Sequence, residues 1–170
     1  MSTFTGIPRD AGKVSGGIDY VLLADYNVSN IKGTLDNSTG LVTFTADASL
    51  NTLFTKFVPR KETSNYTSTL AATASGSSNY NQVLTLVFSK NSIVVRNQLA
   101  IMKDKEMIAV IVDRAGNNVV FGLKNGLDST AEVGTSGTAP TDLNAATLTL
   151  AGNEPYRFGN VTDAVLATLQ

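Results

Sequence analysis

The sequence predicts a mainly β protein, an antiparallel β-sandwich or barrel of about eight strands with one packed helix. Three observations carry that expectation. Short apolar/polar alternations recur along the chain, such as Leu41-Val-Thr-Phe-Thr-Ala46 and Thr147-Leu-Thr-Leu150. Turn chemistry built from Asp, Asn and Gly separates them, as in Asp36-Asn-Ser-Thr-Gly40 and Asp113-Arg-Ala-Gly-Asn117. Only one segment has a clear helical period, and Thr, a strand-favouring residue, occurs 21 times.

In chain order, residues 1–17 are small and polar, with Gly12, Gly16 and Gly17, and read as a flexible N-terminal arm. Residues 18–170 then read as a single β domain with extended loops near 47–61 and 128–140. Ile18 to Asp25 is the first strand, and Val28 to Leu35 extends it beyond a turn or bulge at Asp25-Tyr26-Asn27. Leu41 to Ala46 is half-buried by its alternation. Leu53, Phe54, Phe57 and Val58 form an apolar cluster, read equally well as a short helix or an irregular strand. Glu62 to Ala74 and Tyr80 to Ser89 pair as a hairpin across Ser75-Gly-Ser-Ser78, with Tyr66, Ser68, Leu70 and Ala72 on one face.

The helix spans about residues 92–104. The Ser92 hydroxyl can accept a bond from an otherwise unpaired N–H, and Val95, Leu99 and Met102 fall at i, i+4 and i+7. Lys103 and Lys105 suit its negative C-terminal end. Met107 to Val112 is almost unbroken apolar sequence, which requires cover on both faces. Asn118 to Leu123 returns from the turn at Gly116, and Lys124-Asn125-Gly126 turns again. Asp128 to Pro140 reads as a Gly/Thr/Ser-rich loop, and Leu143 to Ala151 as the last core strand. Thr162 to Gln170 fits a docked short helix or an edge strand. Few charges guard the strands, so exposed edges would be open to pairing with another chain.

Composition removes whole classes of function. The 170 residues contain no His, no Cys and no Trp, so a Ser-His-Asp or Cys-His nucleophile system, a zinc finger and an iron–sulfur site are impossible. Net charge is -1 and only 16% of residues are charged, without the basic excess that grips nucleic acid. No apolar run is long enough for a transmembrane helix, and Met1 to Asp10 lacks a signal-peptide pattern, which points to synthesis in a cytosol. Sequons at Asn27, Asn37, Asn65 and Asn160 are what this much Asn, Ser and Thr yields by chance.

The remaining constellations each have a plain structural reading. Asp104 and Glu106 alternate with Lys103 and Lys105 as a solvated charge run. Asp19 and Asp25 lie towards opposite ends of the first strand, and a glycosidase-like pair there would want aromatic platforms that the composition hardly supplies. Asp36-Asn37-Ser38 and Asp113 to Asn118 offer oxygen ligands for calcium but lack the spaced acids of an EF-hand, so turn geometry accounts for both. Gly134-Thr-Ser-Gly137 lacks the Lys-Ser/Thr ending of a phosphate loop. Tyr20, Tyr26, Tyr66, Tyr80 and Tyr156 divide between packing and interface anchoring. No catalytic, cofactor-binding or metal-binding residue is assigned, and no enzymatic activity is expected.

The segment from Ile108 through Asp113, Gly116, Phe121 and Gly122 to Asn125-Gly126-Leu127 resembles the strand–turn–strand–Asn-Gly-Leu element of phage and prophage tail tube (major tail) proteins. Leu84 to Phe88, the Ile93 to Met102 helix, and Thr141-Asp-Leu-Asn144 through Leu148 and Leu150 to Glu154 are also similar to them, the last to the type found in Bacteroidetes phages, with Ala145 standing where that element has Gly. The resemblance spans residues 80–158. It implies a β-sandwich or barrel with one helix, self-association into hexameric rings stacked as a tube, contacts with other tail proteins, and DNA passing through the lumen without specific binding. It places the protein in the virion, made in the host cytoplasm and independent of a membrane. The alternatives are another phage or contractile-injection structural protein, such as a head decoration or neck protein, or a non-catalytic ligand-binding or adhesin β domain.

Overall fold

A computed structural model describes residues 16–27, 30–46, 49–72, 76, 78–139 and 141–170. The chain is mainly β and antiparallel, as the sequence predicts, with eleven strands and three helices among the described residues. In order these are β1 (Ile18–Asp25), β2 (Lys32–Leu35), β3 (Val42–Thr45), α1 (Leu50–Leu53), β4 (Thr55–Phe57), β5 (Asn65–Ala72), β6 (Ser78–Ser89), α2 (Ile93–Met102), β7 (Met107–Asp113), β8 (Asn118–Phe121), β9 (Asp128–Thr135), β10 (Ala145–Glu154), β11 (Gly159–Asn160) and α3 (Asp163–Thr168).

Two sheets form the sandwich. One has the order β11-β8-β7-β1-β4 and the other β5-β6-β10-β9, while β2 and β3 form a separate hairpin. Between the sheets lie Val21 and Leu23 of β1, Ala109 and Ile111 of β7, Leu84 and Leu86 of β6, and Leu148 and Leu150 of β10. The alternate residues of the five-stranded sheet point the other way. Leu22, Ala24, Ile108, Val110 and Val120 pack there with Val42, Phe54, Leu166 and Leu169, so the β2–β3 hairpin, α1 and α3 roof that sheet. Covering both faces removes the alternation, which is why Met107 to Val112 reads as one apolar run.

Helix α2 is capped as expected, with Val95 N–H donating to Ser92 Oγ at 3.3 Å. Leu99 and Met102 are buried between the sheets and Val95 packs beside them. The helix stands where the sandwich would otherwise open, between β4 and β9. Phe57 of β4 and Phe88 face it across a small apolar cleft, and a Cβ on Gly134 of β9 would lie 2.7 Å from Asn91 Nδ2 at its entry.

Several expectations are corrected. The loop near 128–140 begins only after β9, whose pairing with β10 runs from Ala145↔Thr135 to Ala151↔Asp128. As an edge strand it rests one side on solvent, so its Ser, Thr and Gly never had to display a core-facing stripe. The loop near 47–61 contains α1 and β4, so the apolar cluster at Leu53 to Val58 is helix and then strand. Val28 to Leu35 does not continue β1; β2 leaves to pair with β3. The C-terminal segment is the helix α3, with Thr162 as its N-cap. The arm expected over residues 1–17 lies outside the described residues except for Gly16 and Gly17, as do Val28, Ser29, Asp47 and Ala48.

Candidate functional site

The residues singled out for chemistry are occupied with structure. Asp19 and Asp25 sit near opposite ends of β1, and Asp25 accepts an ion pair from Lys105 Nζ at 2.7 Å. Glu106 Oε2 accepts from Asn27 Nδ2 at 3.1 Å, and Asp104 stands apart from it in the helix–strand turn. Asp36 closes its own turn: Oδ1 accepts from Ser38 N–H at 2.9 Å and Ser38 Oγ–H at 2.6 Å, and Oδ2 from Thr39 Oγ1–H at 2.9 Å. Those donors hold its carboxyl down to a pKa of about 2. Asp113 accepts from Asn117 N–H and Nδ2 and from the Tyr66 hydroxyl. Both candidate calcium loops are therefore turns, and no group of three or more metal-ligating side chains stands together among the described residues. Gly134 lies within β9 and not in a phosphate loop. No helix among the described residues is long and apolar enough to cross a membrane.

The tyrosines divide. Tyr20 lies under Lys56 Nζ, 3.9 Å from its ring centroid, and Tyr66 packs edge-on against Phe121 at 5.5 Å. Tyr26 donates to Lys124 O at 2.6 Å. Tyr80 and Tyr156 line a polar cleft of about 440 Å³ with Asn37, Thr39 and Arg157.

Two of the segments carrying the resemblance meet at a buried carboxylate. Glu154, at the end of β10, is 1% exposed, and its oxygens accept from Lys124 N–H at 3.0 Å and Asn125 N–H at 2.8 Å. Burial pushes its pKa above the ordinary value against the pull of those donors. Gln82 Oε1, also buried, accepts from Gly122 N–H at 3.0 Å, and Leu127 exchanges two backbone bonds with Met107 at 2.8 Å. The Asn-Gly-Leu connection is thus pinned from the four-stranded sheet below and the five-stranded sheet beside it. Gly122 is required there: its φ is +71° and a Cβ would lie 2.7 Å from Met107 O. This bracket holds the sheets in register with one another; it offers no reacting group to a substrate.

The feature left without a structural explanation is the pair of edges on the four-stranded sheet. β5 and β9 are eight residues each, and neither has an outer partner among the described residues. By contrast, the five-stranded sheet ends in β4 and β11, of three and two residues. β5 carries no charge and β9 only Asp128 and Glu132, so the usual protection against edge pairing is thin. Among the described residues, the outer face of this sheet presents Thr67, Thr69, Asn81, Val83, Thr85, Thr147, Thr149, Ala131 and Val133, with Asp128 at one corner as its charged group, while Val87 at the other end of that face is buried. The sequence disclosed β5 but not β9; the available signal was Ala131 and Val133 alternating with Glu132 and Gly134.

Fold and edges together define an antiparallel β-sandwich with one sheet open at both sides. No protein-family model matches the chain, and no curated protein and no solved structure matches it significantly.

Proposed function

We propose that the protein is a virion structural subunit, a phage tail tube protein that closes into rings and stacks into the conduit for DNA ejection. The observation that carries this reading is the four-stranded sheet with two long, weakly charged, unpaired edges. Its strands alternate in direction, so β5 and β9 run opposite ways. Copies related by rotation about a common axis then bring β9 of one against β5 of the next in antiparallel pairing, and an even strand count lets the ring close without a mismatched pair. Six copies give a barrel of twenty-four strands, about 115 Å round and about 37 Å across before strand tilt widens it. That leaves room for a DNA duplex.

The five-stranded sheet supports one choice of inward face. The five-stranded sheet and its roof of α1, α3 and the β2–β3 hairpin need more circumference than a bare sheet, so they take the outer radius. The Thr-, Asn- and Val-lined face then lines the lumen, where few charges let a polyanion slide and not stick. The role is non-enzymatic, rests on self-association and contacts with other tail proteins, and places the chain in the virion after synthesis in the host cytoplasm. The test is negative-stain electron microscopy and mass photometry of the purified protein, alone and with a tail-tip initiator. Rings or tubes are expected; a species that stays monomeric under both conditions refutes the reading.

A further inference from the structure

Asn125-Gly126 is the one Asn-Gly pair in the sequence. Such a pair can modify itself, because the backbone nitrogen after the Asn can attack the side-chain carbonyl carbon and Gly puts no Cβ in the way. A C–N bond forms, the bond from that carbon to Nδ2 breaks, and ammonia leaves with the proton that the backbone nitrogen gives up. Water then opens the five-membered imide at either carbonyl, leaving aspartate or isoaspartate. Asn125 is exposed, so water has access to it.

The fold works against this reaction at each reacting group. The Asn125 Nδ2 that would leave donates to Asn153 O at 2.6 Å. The backbone leading to it is held by Glu154, which accepts from Lys124 N–H and Asn125 N–H. The Gly126 N–H, the attacking group, faces the same carboxylate and adds to the donors that pull its pKa down. Gly126 is buried, and its carbonyl oxygen is seated so closely on Gly152 that a Cβ there would clash with it. A Cβ on Gly126 itself would lie 3.2 Å from Glu106 Cβ and 3.6 Å from Tyr26 Cγ, and Tyr26 in turn donates to Lys124 O at 2.6 Å. Bringing the Gly126 nitrogen onto the Asn125 side chain requires the joining peptide to turn, and these contacts oppose its turning.

We infer that Asn125 is a latent deamidation site kept intact by the bracket around Glu154, and that the reaction proceeds from states in which this turn has opened locally. The product fits the bracket poorly. A carboxylate at residue 125 sets an oxygen against Asn153 O, where the amide now donates, and adds a second acid beside the buried Glu154. Isoaspartate also lengthens the backbone between residues 125 and 126, just ahead of the paired bonds between Leu127 and Met107. Glu154 thus has a chemical task, preservation of the chain, besides holding the sheets. None of this depends on assembly into rings.

Peptide mass spectrometry of the full chain, incubated in mildly alkaline buffer, reads the amide at residue 125 directly. The parent unfolded in guanidinium should deamidate there readily, and the folded parent far more slowly. Glu154→Ala and Leu99→Ala separate local opening from global unfolding: the first removes the bracket, the second removes core packing on α2. With circular dichroism confirming that each is folded, Glu154→Ala should deamidate at Asn125 about tenfold faster than the parent or more, the shift expected when buried donors lose their acceptor. Leu99→Ala should stay near the parent. Glu154→Gln should fall between parent and Glu154→Ala, and it carries the comparison if the Ala chain does not fold. An unfolded chain that keeps its Asn125 amide, a folded parent that loses it equally fast, Glu154 variants no faster than the folded parent, or Leu99→Ala as fast as they are would each overturn the inference.

Discussion

Glu154 shows how one side chain can hold two sheets together. It is buried with two backbone donors on its oxygens and no cation in bonding contact. Truncation leaves both N–H groups without a partner in a dry site, so Glu154→Ala should cost about 3 kcal/mol in denaturant-monitored stability. Glu154→Gln keeps one acceptor in place and should cost less than half of that. The same carboxyl makes stability pH-dependent. Burial raises its folded-state pKa above the ordinary 4.5. Below 4.5 it is protonated folded and unfolded alike; as pH rises, the unfolded chain releases the proton first, so stability contributed by this group is lost until the folded carboxyl has also ionised. Asp36 acts the other way. With its pKa lowered to about 2 from 3.8, it contributes stability above 3.8 that is lost as pH falls towards 2. The Glu154→Gln chain should therefore lack the decline that the parent shows above pH 4.5, while retaining the loss at lower pH. A decline that persists unchanged in the variant would assign it to another group.

Among the elements, α2 has the most consequential position, closing the side of the sandwich between β4 and β9 with Leu99 and Met102. Leu99 is 1% exposed, and Leu99→Ala should lower stability by about 3 kcal/mol through lost burial and the cavity left behind, measured by urea unfolding. This helix was legible from sequence because a capping Ser and a stripe at Val95, Leu99 and Met102 both speak for it. The β5–β6 hairpin was legible too, since its inward residues alternate over a long run. β9 was not, because pairing along one side alone leaves Ser, Thr and Gly free to occur in any order. β4 is too short for a period to appear. Nor was the role of Glu154 readable: a Glu next to Pro155 looks like the end of a strand in water, and only the fold brings Lys124 and Asn125 to it.

At the scale of the whole molecule, absence of His and Cys and a net charge of -1 removed reaction classes without supplying a role. The fold adds a direction to that restraint. Among the described residues, one sheet is roofed by helices and a hairpin and has stub edges; the other has no such roof and no strand beyond either edge. In the ring we propose, those open edges pair with copies of the same chain and the charge-poor face lines the lumen. The proposed ring depends on β9 of one copy pairing with β5 of the next. Cryo-electron microscopy of the assembled protein reads this directly. A closed sixfold ring with a continuous antiparallel barrel is expected, in which each β9 borders a neighbour's β5. A ring whose subunits meet through other elements, or a twofold β5–β5 or β9–β9 dimer, would contradict it.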